Sequence, residues 1–176
     1  MRKLLLLATG ALALFVISGP AAAKLPAPDS VLIKPVKSIG GVDLKMNLKQ
    51  ADKAWGGNGD CDATSCVYTG SKRVKGLAQL DADKGGHVNA VTIAAGIDHK
   101  GRIHAKGPIT AFETKSGIGI GDKGKLIGEE YPEAKKTKHH LWTIEGKGKS
   151  YISFFMVDRK TISLITMSDG LHQGKS

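Results

Sequence analysis

The chain has 176 residues, a formal charge of +10, two cysteines and only 5% aromatic residues. Such a length bounds it to one compact domain, and two cysteines exclude a disulfide-rich scaffold. The charge favours anionic partners in general without specifying one.

Arg2 and Lys3 precede an apolar run over 4–17, after which Ser18, Gly19 and Pro20 lead to Ala21, Ala22 and Ala23. A charged start, an apolar middle and a small-residue end predict a signal peptide over 1–23, cleaved near Ala23. The run is shorter than the ~20 residues a membrane-crossing helix needs, so no membrane span is expected. Lys24 stands where a lipoprotein would carry its cysteine, so the mature chain is expected to be unanchored and monomeric, secreted or periplasmic. Residues 1–23 hold two basic and no acidic side chains, which leaves the mature chain at +8. Three prolines make 24–37 read as a loosely held arm.

Two segments then align without a gap, GVDLKMNLKQADKAWG over 41–56 and GIGIGDKGKLIGEEYP over 117–132. Val42 meets Ile118, Leu44 meets Ile120, Ala51 meets Ile127 and Trp55 meets Tyr131. Further on, HVNAVTIAAGI from His87 matches TISLITMSDGL from Thr161 at an offset of 74. Matched apolar positions predict two copies of one unit, over 38–98 and 117–171, with a connector at 99–116 and a tail at 172–176. Each copy opens on a short Val/Ile-x-Leu/Ile stretch and a capping residue, Asn47 or Asp122. A short helix follows, stopped by Gly56-Gly57 in the first copy and Pro132 in the second.

Short β-prone runs come next, at 67–69, 77–80 and 88–94, then at 141–144, 151–157 and 162–167, separated by charged turns. These predict antiparallel meanders, and the connector suggests one more strand around 109–112. Helix then meander, twice, is an α+β fold: one sheet with helices on one face.

The order, the length and the Gly-Val/Ile-x-Leu/Ile-x-x-Asn/Asp lead-in with its Trp/Tyr-Gly/Pro stop resemble the secreted tandem-repeat proteins of the β-lactamase inhibitory protein type. They are similar, more distantly, to the small lipoproteins of the outer-membrane assembly machinery. The resemblance covers most of the mature chain. It implies a sheet with a concave or exposed face used for protein contacts, and no catalytic centre.

Cys61 and Cys66 are expected to form a local disulfide in an oxidising compartment; their spacing suits neither a zinc site nor a Cys-x-x-Cys redox site. Gly119-x-Gly121-x-x-Gly124 imitates a phosphate loop, but the preceding segment ends in polar residues. Leu126 also stands where a magnesium-binding hydroxyl is required, so no nucleotide is expected. His139 and His140 would project to opposite faces of a strand, and Glu129 and Glu130 point apart on a helix, so neither pair predicts a metal or a hydrolase. No catalytic, cofactor or metal residue is therefore assigned.

Tyr151 and Phe155 fall on one face of the strand SYISFFMV and Ile152, Phe154 and Met156 on the other. Tyr151 and Phe155, joined by Trp142, are candidate anchors of a protein-binding patch; packing between the copies or against the arm is the other reading. The expected function is a non-enzymatic binding or inhibitory module for another macromolecule, a protein first. One alternative is binding of an anionic envelope polymer by Lys72, Arg73, Lys75, Lys147 and Lys149 at hairpin tips. A secreted enzyme with an unrecognised site is the other.

Overall fold

A computed structural model describes residues 24–70, 76–100, 102–104, 107–137 and 140–170. The expected signal peptide over 1–23 and the tail over 172–176 lie outside the described residues. The fold is α+β and consists mostly of strands in two sheets.

The larger sheet has nine strands: β4 (Asp60–Cys61), β5 (Ser65–Thr69), β6 (Gly76–Ala82), β7 (Val88–Ile97), β8 (Ile103–His104), β10 (Lys135–Thr137), β11 (Leu141–Glu145), β12 (Tyr151–Met156) and β13 (Ile162–Ser168). Their order is β10-β11-β12-β13-β7-β6-β5-β4, with β8 paired to β7. All its pairings are antiparallel, and the six expected meander strands are those observed, within a few residues at their ends.

The second sheet was not expected. It comprises β1 (Leu32–Lys34), β2 (Ser38–Ile39), β3 (Val42–Asp43) and β9 (Glu113–Thr114), in the order β3-β2-β1-β9. It joins the segment read as an arm to the one read as a connector, because β1 pairs parallel with β9, Leu32 opposite Glu113. Leu25 and Ile33 are buried in the core, and Ala27 N–H donates to Trp55 O. The strand expected at 109–112 is instead a 3-10 turn over Pro108–Ala111. Proline's fixed φ and missing N–H suit the first residue of such a turn and not a paired strand.

Two short helices, α1 (Leu48–Ala54) and α2 (Lys125–Glu130), each follow a strand of the smaller sheet and precede a meander of the larger one in sequence. Asn47 caps α1 as expected, its side chain accepting from Lys49 N–H. Asp122 does not cap α2: its carboxylate accepts from Gly119 N–H at 2.8 Å and closes the turn before the helix, while Gly124 takes the cap position.

Register fixes what each sheet face carries. One face holds the rows Ile144, Ile152, Met167, Val91, Leu80, Cys66 and Trp142, Phe154, Ile165, Ile93, Ala78, Tyr68. All except Trp142 are buried there. Both helices cover this side. Trp55 at the end of α1 meets Tyr68 and Phe112 edge to face, with centroids 5.3 Å and 5.8 Å away, and its indole N–H donates to Ile39 O. That one side chain ties both sheets to the helix. On α2, a Cβ at Gly128 would collide with the Trp142 ring, so glycine is what lets the helix sit against β11.

Candidate functional site

The opposite sheet face is built by the alternate residues of the same strands. Leu141, Phe155, Leu164, Ala94 and Leu77 form an apolar row across β11, β12, β13, β7 and β6. Beside it runs a hydroxyl and amide row, Thr143, Ser153, Thr166, Thr92 and Gln79. Thr143 and Ser153 hydroxyls pair at 3.1 Å, and those of Thr92 and Thr166 at 3.0 Å. Phe155 is 40% exposed, while Tyr151, Leu141 and Leu164 are half-buried. A depression of about 960 Å³ opens over β11 to β13, lined by these residues with Ser150, Lys149 and Gly170 at its rim.

Of the three expected anchors, Tyr151 and Phe155 line this depression and Trp142 does not. Trp142 pairs with Phe154 and so faces the helices, where Lys136 Nζ lies 5.7 Å from its ring and its indole N–H has no partner among the described residues. A strand's faces swap with a one-residue slip in register, and the register here is set by the hairpin over 146–150.

Lys147 and Lys149 sit on that hairpin and are exposed. Lys72, Arg73 and Lys75 lie outside the described residues. Next to the hairpin a second depression, of about 520 Å³, is lined by Lys147 and Lys149 together with Lys37 and Lys45, and by Asp43 and Asp169. Sequence reasoning missed Lys37 and Lys45. They belong to the turns after β1 and β3, and only the second sheet brings those turns to the β11–β12 hairpin.

Cys61 and Cys66 are directly opposite on β4 and β5 and form the expected disulfide, S–S 2.04 Å. Asp52 lies close to both sulfurs, but a sulfur held in a disulfide is not a thiolate ligand. Its carboxylate serves a different purpose, accepting from Tyr68 O–H at 2.7 Å and from Gly59 N–H at 3.1 Å. Burial first, then this bond and the adjacent negative charge, push the Tyr68 hydroxyl far above its ordinary pKa.

The glycine-rich segment before α2 has its amides occupied. Gly117 donates to Thr114 O, Gly121 to Ile162 O and Gly124 to Lys160 O. A phosphate cradle needs such amides to converge on an open site.

Four aspartates have carboxyls held below the ordinary range, and all four close turns. Asp62 accepts from Thr64 and Ser65 amides, Asp83 from Gly85 and His87, Asp98 from Lys100 and Arg102, and Asp158 from Lys160 and Thr161. In each the backbone donors are the leading cause, and Asp98 gains Arg102 Nε at 2.8 Å as well. Glu145, on the rim of the larger depression, is paired with Lys135 at 2.8 Å.

No family model, curated protein or solved structure matches this chain. Among the described residues no helix is long and apolar enough to cross a membrane.

Proposed function

We propose that the chain is an exported, monomeric, non-enzymatic module that binds or inhibits another macromolecule, a protein, through the open face of its larger sheet. The observation that carries this is the row Leu141, Phe155 and Leu164, which lies on the face opposite both helices and leaves Phe155 40% exposed. An aromatic anchor among half-buried apolar neighbours, flanked by hydroxyls that can pair with a partner's backbone, is the usual composition of an interface centre. A non-enzymatic role is supported by where the perturbed carboxyls sit: they close turns at strand ends, and none of the four lines the depression. Export is supported by the pattern of 1–23 and by the disulfide.

The proposal includes an architecture of two copies of one unit. Its support is a set of matching backbone bonds. Lys45 N–H donates to Val88 O and Val88 N–H to Met46 O; at offsets of 76 and 74, Gly121 N–H donates to Ile162 O and Ile162 N–H to Asp122 O. The bridges Asn47 to His87 and Lys123 to Thr161 match in the same way. Thr92 and Thr166, 74 residues apart, face each other at the middle of the sheet, where a two-fold axis relating the copies would pass.

The test is a photo-crosslinking residue at position 155, compared with one at position 97, where Ile97 is also exposed but lies on the β7–β8 hairpin. Incubated with the native exported protein fraction, the first is expected to give a discrete adduct and the second none. Adducts from both, or from neither, would refute docking on this face. Polyanion binding is a second reading, favoured by the lysine-lined depression; it predicts retention that falls steeply with salt and does not depend on position 155.

A further inference from the structure

The two depressions share a wall, Gly148, Lys149 and Ser150 of the β11–β12 hairpin. On one side lies the apolar and hydroxyl-lined surface around Phe155. On the other, four lysines from three separate stretches of chain face the same space. None of the five ion pairs among the described residues involves Lys37, Lys45, Lys147 or Lys149, all of them exposed, and the carboxylates in that depression are Asp43 and Asp169.

We infer that the segment recognised is a stretch of a partner protein with an apolar side chain next to a run of carboxylates, the apolar group on Phe155 and the carboxylates on this lysine cluster. This rests on the docking reading above and adds the chemistry of the partner to it. The four lysines outnumber the two aspartates in that space, and the excess positive charge favours an acidic segment over a neutral one. Lysine ammonium groups on flexible stems suit a run of carboxylates with no fixed geometry, where arginine forks would suit one rigid group.

The backbone supports the same surface. Val36 and Lys45, both lining the lysine depression, hold φ of 60° and 69°, a region that a β-branched residue in particular rarely adopts. Val36 packs against Gly146, where a Cβ would collide with it, so the strained turn after β1 is held against the hairpin that carries Lys147 and Lys149. Strain of this kind persists where the surroundings over-determine a conformation, as the packing of Val36 on Gly146 does for the turn that carries Lys37.

The experiment uses the mature chain and two fluorescent peptides, one a run of glutamates and the other the same run preceded by two leucines, followed by anisotropy at low and moderate salt. The leucine-containing peptide is expected to bind at least about tenfold more tightly. Phe155→Ala should remove that advantage and leave the glutamate-only peptide unchanged. Paired reversals, Lys147→Glu with Lys149→Glu or Lys37→Glu with Lys45→Glu, should weaken both peptides by about tenfold, whereas Lys125→Glu on α2 should not. Circular dichroism of each variant establishes that it is folded.

Equal binding of both peptides with no effect of Phe155→Ala would mean that a bare polyanion is recognised and would overturn the inference. Binding of neither peptide, or indifference to both reversals, would overturn it too. If a crosslinker at position 155 still captures one protein while the reversals change nothing, docking stands and the acidic partner falls. If position 155 captures nothing, the docking reading itself has failed.

Discussion

At the level of single residues, the contact between Tyr68 and Asp52 is the most informative buried polar pair. Tyr68 is fully buried and donates to a half-buried carboxylate that also receives Gly59 N–H. Tyr68→Phe keeps the ring packed on Trp55 but leaves Asp52 short of a donor, so a loss of about 1–2 kcal/mol is expected in urea unfolding. Because the folded pKa is raised above the ordinary value of 10.0, the stabilisation is full below that pH and declines as pH rises through and beyond it. Spectrophotometric titration should find the Tyr68 phenol ionising only on unfolding, a step that Tyr68→Phe removes. Ionisation of Tyr68 in the folded state near its ordinary pH would refute the buried hydrogen bond.

Elements show why some of the fold was legible and some was not. Six strands of the larger sheet, β5, β6, β7, β11, β12 and β13, run for five to ten positions, long enough for a period of two to declare itself. The strands of the smaller sheet have two or three residues each, and β1 finds its partner in β9 some eighty residues away, so neither periodicity nor a turn signal announces it. Trp142, grouped with Tyr151 and Phe155 from the sequence, lies on the other face for a related reason: the face of β11 depends on the hairpin register, which its own residues do not encode. Tyr151 and Phe155, two positions on one strand four apart, share a face in any register.

The turns between these strands carry a prediction of their own. Asp62, Asp83, Asp98 and Asp158 have folded pKa values below the ordinary aspartate value of 3.8, so each adds stability above that pH and loses it as pH falls further. The slope of unfolding free energy against pH in that acid window should become shallower by up to about one proton for each Asp→Asn replacement, read most simply at Asp158. An unchanged slope would contradict the hydrogen-bonded turns. The disulfide pins a neighbouring turn. Replacing Cys61 and Cys66 with serine should cost about 2 kcal/mol in the chain-entropy account of so short a loop, and lower Tm by about 4–8 °C for a chain of this size.

Across the whole molecule, the sheet order decides how the protein should unfold. The proposed copies are not beads on a string, because β13 pairs with β7 over five residues and places Ile165 and Met167 beside Ile93 and Val91 in one buried layer. Separating the halves would uncover this apolar layer and leave two edge strands unpaired, a cost that falls on both halves together. The smaller sheet adds a second tie, since β1 precedes the first copy and β9 precedes the second. One cooperative transition is therefore expected, with the calorimetric and van't Hoff enthalpies of unfolding in agreement. Thr92→Val and Thr166→Val, combined in a double-mutant cycle, should show a coupling of about 0.5–1 kcal/mol across that seam. Two resolved transitions with no coupling would mean that the halves are independent domains, and the open face spanning β11, β12, β13, β7 and β6 could not then act as one rigid surface for a partner.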